Sequence, residues 1–282
     1  MYTKNPKICT RCVMDTTDSK IIFNENGVCN HCLEFKEGIS KRWFPTADGE
    51  KKLKAIYEKM KKENAHKAYD CILGLSGGVD SSYLALKLHE AGIRPLVVHV
   101  DAGWNSELAV ANIERIIHYC GWHLHTIVID WEEMKDLQLA YLKSGIANQD
   151  VPQDHAFFAS LYHFATKYGV NYIISGGNIA TESIFPKSWH WDAMDADNLK
   201  AIHKKFGTKK LKNYKTIGFY ELYFYYPFIN INLSAPTKSI VLVFCGFLSR
   251  HDAVSRGKQF IRALKLGQNE AHKWRAKSRE RN

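Results

Sequence analysis

A short apolar segment, Tyr69-Asp70-Cys71-Ile72-Leu73-Gly74-Leu75, runs without a linker into Ser76-Gly77-Gly78-Val79-Asp80-Ser81-Ser82. An amphipathic run from Ser81 to Ala91 follows at once and stops at Gly92. A strand that feeds a helix through so tight a turn commits the chain to an α/β arrangement, because the helix must return over the sheet to start a parallel neighbour. The turn also has a chemical consequence. Adjacent glycines remove the Cβ atoms that would hold backbone N–H groups away from an anion, and the new helix N-terminus adds the positive end of its dipole. Ser76, Ser81 and Ser82 offer hydroxyl donors to the same anion. Asp80, in the first helical turn, suits the dipole and can help hold Mg²⁺ beside phosphates. A glycine turn with a serine cap would match two or three of these positions; the whole string at a first strand-to-helix turn favours a phosphate-binding loop.

The pattern then repeats. Pro95–Val100 predicts a second strand, Glu107–Cys120 a helix, His125–Ile129 a third strand, Gln153–Tyr168 a helix closed by Gly169, and Tyr172–Ser175 a fourth strand. Right-handed crossovers give a doubly wound parallel sheet with ligand loops at the carboxyl ends of the strands. Two further loops belong to that end. His99-Val100-Asp101-Ala102-Gly103-Trp104-Asn105 makes Asp101 either a ligand contact or a turn carboxylate. Ser175-Gly176-Gly177-Asn178 repeats the small-residue logic and permits close backbone approach to a ligand.

Ahead of this region, Cys9-Thr10-Arg11-Cys12 and Cys29-Asn30-His31-Cys32 stand sixteen residues apart. A two-residue gap lets both thiolates of a knuckle reach one ion, and two knuckles supply the four sulfurs of a structural Zn²⁺ site. Disulfides or a redox pair would use the same cysteines, but a segment this short without a core needs a staple, and the pairs lie outside the βαβ pattern. His31 could replace a ligand, although four cysteines already fill the shell. Cys71, Cys120 and Cys245 sit in apolar or helical contexts and read as core residues.

The expected organisation is a zinc-ribbon-like module at 1–47, a charged connecting helix at 48–68, an α/β domain at 69–232 and a basic tail at 233–282. The chain has 282 residues and 45% hydrophobic content, enough for one sizeable core and a small appended module. The tail carries 11 Lys or Arg against 3 Asp or Glu, which leaves only +2 of the formal charge of +10 for residues 1–232. The main body therefore gives no electrostatic reason to expect nucleic acid. No apolar run reaches a membrane-spanning length and no signal-peptide core follows Met1, so no membrane contact and a cytoplasmic location are expected.

The Ser76–Ser82 string resembles the PP-loop of the adenine-nucleotide alpha-hydrolase superfamily over about residues 69–178. The resemblance implies a HUP-like sheet, a loop that binds the pyrophosphate of ATP through Ser76, Gly77, Gly78, Val79, Asp80, Ser81 and Ser82, attack of a substrate oxygen on the alpha phosphorus, and Asp101 near the nucleoside. More of the chain is similar to the N-acetyl sugar amidotransferase family, over about residues 7–232. The shared segments are Cys9-Thr10-Arg11-Cys12-Val13-Met14-Asp15-Thr16-Thr17, the second knuckle, the loop, Asp150-Val151-Pro152-Gln153-Asp154-His155-Ala156 and Ser175-Gly176-Gly177-Asn178-Ile179-Ala180-Thr181-Glu182-Ser183. That resemblance implies ATP, Mg²⁺ and Zn²⁺ as cofactors and a nucleotide-linked N-acetyl sugar as substrate. It also implies a role in bacterial O-antigen synthesis, with ammonia from a separate glutaminase and a cyclase-like subunit alongside. The tail from Leu233 departs from the family pattern.

Asp154 and His155 are candidates for substrate contact or proton transfer, or for capping their helix. Trp189, His190, Trp191, Asp192 and Asp195 suit stacking on a sugar or base, or burial as a lid. Two rival functions remain. A tRNA-modifying enzyme would thiolate a base or form a lysidine-type product through the same adenylation, although sulfur transfer calls for an active-site cysteine. A non-catalytic partner subunit would use the zinc module to dock.

Overall fold

The computed structural model describes residues 6–38, 41, 44–177, 192–218, 241–244, 258 and 261. Its helices and strands are α1 (Asn30–Glu37), α2 (Ala47–Glu63), β1 (Cys71–Gly74), α3 (Val79–Glu90), β2 (Pro95–Asp101), α4 (Glu107–Cys120), β3 (His123–Val128), α5 (Trp131–Ser144), α6 (Val151–Lys167), β4 (Tyr172–Ser175), α7 (Ala196–Phe206) and β5 (Val241–Phe244). The strands form one parallel sheet in the order β3-β2-β1-β4-β5.

Strand side chains alternate between the two faces, and the core divides accordingly. Cys71 and Leu73 of β1 point into the layer made by α2, α3 and α4, with Tyr57, Leu86, Leu88, Ile113 and Ile116. Ile72 points the other way, to Leu161 and Ala165 of α6. Beside α6 on that face, Met134, Leu137 and Tyr141 of α5 pack with Leu199 and Ile202 of α7. Helices on both faces of a parallel sheet make the fold doubly wound, as the alternation of strand and helix predicts.

Several elements differ from that prediction. The connecting helix is part of the core: Tyr57 and Met60 of α2 are buried and Leu53 and Ile56 pack beside them. Strand β3 begins two residues early, at His123. Helices α5 and α7 are additional, each started by an aspartate. Asp130 accepts from the N–H groups of Glu132 and Glu133, and Asp195 from those of Asp197 and Asn198. The apolar stretch Ile240–Leu248, assigned to the tail, contributes β5, paired with β4 from Tyr172↔Val241 to Ser175↔Phe244.

Candidate functional site

The strand order reverses at β1. From β1 the chain builds outward through β2 to β3, then crosses back to place β4 on the other side. The loops leaving β1 and β4 start at this reversal, and the crevice there is where open α/β sheets bind ligands. A cleft of about 460 Å³ opens there, lined by Ser76, Gly78, Val79, Asp80 and Ser81 from one loop and Ser175, Gly176 and Gly177 from the other.

The first loop is held from behind. Gly77 has φ +75°, and a Cβ on it would lie 2.2 Å from the carbonyl oxygen of Ala109 in α4, so the position requires glycine. Asn112 of α4 donates its side-chain amide to the Gly77 carbonyl at 3.0 Å. Ser81 Oγ and Ser82 Oγ donate to the Gly78 carbonyl at 3.2 and 2.6 Å, and Ser76 Oγ lies 3.1 Å from Ser81 Oγ. Ser82 is fully buried and Gly77 is buried behind the cleft. Both therefore brace the loop, and the residues left facing the cleft are Ser76, Gly78, Val79, Asp80 and Ser81.

Helix α3 starts without a side-chain cap. The N–H groups of Val79, Asp80 and Ser81 have no carbonyl one turn back to bond, so the residues that line the cleft carry donors aimed at an anion. The second loop closes on that helix end: a Cβ at Gly176 would stand 3.1 Å from the Ser81 nitrogen. Any larger residue there would push the two loops apart.

Asp101 does not line this cleft. Its Oδ1 accepts from Gly103 N–H at 2.9 Å, which makes it the carboxylate of its own turn. The loop after β2 instead presents His99 and Asn105. His99 Nδ1 donates to the Leu75 carbonyl at 3.0 Å, and its Nε2 accepts from the Asn105 amide at 3.1 Å. This pair ties the end of β1 to the loop beyond β2; a polar residue inside a buried strand, next to a small-residue loop, was the available signal.

Gln153 and Asp154 of α6 do face the cleft. His155 faces away from it and is fully buried, donating from Nδ1 to the Ala193 carbonyl at 2.9 Å and accepting at Nε2 from Ile217 N–H at 3.0 Å. Burial also holds its pKa below the ordinary imidazole value. With both ring nitrogens bonded to backbone, His155 pins this segment and does not face the cleft for the substrate contact or proton transfer that the sequence allows for it as alternatives to a helix cap.

The segment it pins is fixed by two further buried groups that sequence reasoning missed. Glu133 of α5 accepts from the N–H groups of Lys212, Asn213 and Tyr214 at 2.8–3.0 Å. Asp136 accepts from His203 Nε2, from the N–H groups of Thr208 and Lys209 and from Thr208 Oγ1. Burial would raise both pKa values, but these donors outweigh it and hold both carboxyls below the ordinary range. Tyr214 then donates its hydroxyl to the Pro152 carbonyl, locking the start of α6 and with it Asp154.

Of the expected polar-aromatic cluster, Asp192 accepts from Met194 N–H and Asp195 caps α7. Trp189, His190 and Trp191 lie outside the described residues, as do Asn178 to Ser183 of the second loop.

In the N-terminal module the four sulfurs of Cys9, Cys12, Cys29 and Cys32 lie within 4.8 Å of one another. Tetrahedral zinc thiolate geometry separates sulfurs by about 3.8 Å, and Cys12 Sγ and Cys29 Sγ are 3.6 Å apart. Cys9 Sγ accepts from the N–H groups of Arg11 and Cys29 at 3.4 and 3.2 Å. Burial pushes the Cys9 thiol up, but these backbone donors prevail and bring it to about 6, which favours a thiolate. The set fits Zn²⁺. His31 is not a ligand: it pairs with buried Asp18 at 2.7 Å. Metal analysis of unchelated protein is expected to find one zinc per chain, and Cys29→Ser to lose that zinc while nucleotide binding persists.

No protein-family model matches the sequence, and no curated protein matches it. Solved structures similar to the chain include an NH3-dependent NAD synthetase from Campylobacter jejuni in complex with the nitrate ion, 13% identical with a TM-score of 0.38 over 56% of this chain and 72% of that one. An NMN synthetase from Francisella tularensis is 16% identical with a TM-score of 0.36 over 79% and 94%. Likeness at this level says nothing about what this chain binds. Among the described residues no helix is long and apolar enough to cross a membrane.

Proposed function

We propose that this chain is an ATP-dependent amidotransferase that adenylates the acetamido oxygen of a nucleotide-linked sugar and replaces it with ammonia. The observation that carries the reading is the uncapped start of α3 at the strand reversal, with its donors turned into a cleft that a second small-residue loop closes. Such a cradle suits the phosphates of ATP.

An amide carbonyl resists attack by ammonia because donation from its nitrogen makes the carbon a poor electrophile and leaves oxide as the group to be expelled, so the oxygen must first become a leaving group. Attack of that oxygen on the alpha phosphorus forms an O–P bond and breaks the bond to pyrophosphate, giving an O-adenylyl imidate. Ammonia adds at the imidate carbon, loses its protons to solvent or a side chain, and AMP leaves with the former amide oxygen. The N–H groups of Val79, Asp80 and Ser81 stabilise the charge growing on pyrophosphate. Asp80 would hold Mg²⁺, which would offset further phosphate charge, and Asp154 and Gln153, which line the same cleft, would face the sugar.

The resemblance of residues 7–232 to the N-acetyl sugar amidotransferase family supplies the sugar, the O-antigen setting, the separate glutaminase and the cyclase-like subunit. Sulfur transfer fits less well, because among the described residues no cysteine lines the cleft. Cys71 is fully buried in β1, where burial pushes its thiol up.

The product of labelled substrate tests the reading. With ¹⁸O in the acetamido carbonyl, ATP and ammonium, mass spectrometry is expected to find the label in AMP. Label in inorganic phosphate with ADP as co-product would mean transfer from the gamma position and end the proposal.

A further inference from the structure

The described lining of the cleft contains two carboxylates, Asp80 and Asp154, and no lysine or arginine. His99 supplies no compensating charge, since its Nδ1 proton goes to the Leu75 carbonyl and its Nε2 lone pair to the Asn105 amide. Beyond the Mg²⁺ that Asp80 would hold, a triphosphate bound there meets no cationic side chain on the described cleft walls.

A second cavity of about 470 Å³ lies on the other flank of the same loop. It shares Gly78 and Val79 with the cleft, and its remaining wall is Gly77, the start of α4 and the residues Lys258 and Ile261. Both of these residues border the cavity, Ile261 half-buried and Lys258 exposed. The same lining includes Asn112, 95% buried, whose Oδ1 has no hydrogen-bond partner. The cavity is thus bounded by the phosphate loop itself and carries one lysine on its lining.

We propose that Lys258 is the cation of the phosphate site: reaching over the flank of Gly77-Gly78-Val79, it pairs with the beta and gamma phosphates of ATP and with pyrophosphate as it leaves. This rests on the adenylation reading. It makes the basic segment after Leu233 part of the active site, through one residue and independently of that segment's net charge.

Calorimetry with full-length protein and Mg²⁺ tests it, using ATP, pyrophosphate and AMP as probes. Lys258→Ala is expected to weaken ATP and pyrophosphate about ten- to a hundredfold, the usual worth of a charge-assisted contact. AMP affinity and the melting temperature should stay unchanged, and Lys258→Arg should recover most of the loss. Unchanged ATP and pyrophosphate affinity, or equal weakening of all three ligands, would overturn the assignment. A parent chain that binds neither ATP nor pyrophosphate would overturn the adenylation reading and this assignment with it, whereas tight parent binding that Lys258→Ala leaves intact removes the assignment alone.

Discussion

Gly77→Ala is expected to abolish ATP binding and to lower stability by about 2–5 kcal/mol, while Gly78→Ala melts like the parent. The difference is geometric. A Cβ at Gly77 meets backbone, 2.2 Å from the Ala109 carbonyl oxygen, at φ +75°. The left-handed conformation alone costs about 1–2 kcal/mol for a residue with a Cβ, and overpacking against a helix that cannot yield adds about 1–3 kcal/mol. Relief requires the loop to peel from α4, which breaks the Asn112 bond and misaims the N–H groups of α3. At Gly78 the nearest atom to an added Cβ is the Ser76 hydroxyl oxygen at 3.4 Å, an ordinary contact. Chemical denaturation with calorimetric ATP titration checks both variants; equal stability of the two would refute this account of the loop.

Glu133→Ala is expected to cost about 3–5 kcal/mol, although Glu133 touches no ligand. It removes the acceptor for the N–H groups of Lys212, Asn213 and Tyr214; the buried Tyr214 donor left alone costs about 1–3 kcal/mol, and the two part-buried bonds to a carboxylate add to it. Out of a total near 5–15 kcal/mol that is a large share. The pH dependence has a definite sign. Glu133 and Asp136 have folded pKa values below their unfolded ones. The stability they contribute is therefore complete above the unfolded carboxylate range near ~4 and is lost as pH falls through the lower folded values. Urea unfolding at pH 7, 4 and 3 should show the parent weakening most in the last step and Glu133→Gln less sensitive to it. Equal acid sensitivity of parent and variant would mean that the staple does not operate.

The sheet and its phosphate loop were legible because their signals are local. Apolar runs of strand length, a string of small residues and paired cysteines each state their geometry within a few positions. The residues that position the cleft signal differently. Glu133 and Asp136 look like the solvated face of a charged helix, and only contact with residues 203–214, distant in sequence, makes them buried acceptors. His155 sits at the mouth of the site in sequence, yet the helix turns its ring from the cleft into the core, where Ala193 and Ile217 meet it. Asp101 shows how a carboxylate two residues before a glycine serves its own turn as readily as a ligand. Helix α5 carries its own signals, from Asp130 with Glu133 three residues later to Gly145, but its charged residues interrupt the stripe of Met134, Leu137 and Tyr141.

The pairing of β4 with β5 also bears on how the molecule is made. Synthesis delivers β1 to β4 in close succession, but the partner for the open side of β4 arrives only after residues 176–240 have been added. Until then Tyr172–Ser175 presents unpaired backbone on an apolar edge, which another chain in the same condition could occupy. Closure over so long a separation is slow compared with the local pairings that precede it. The nascent protein therefore passes through an interval in which four strands are in place, the last is absent, and misassociation competes with completion.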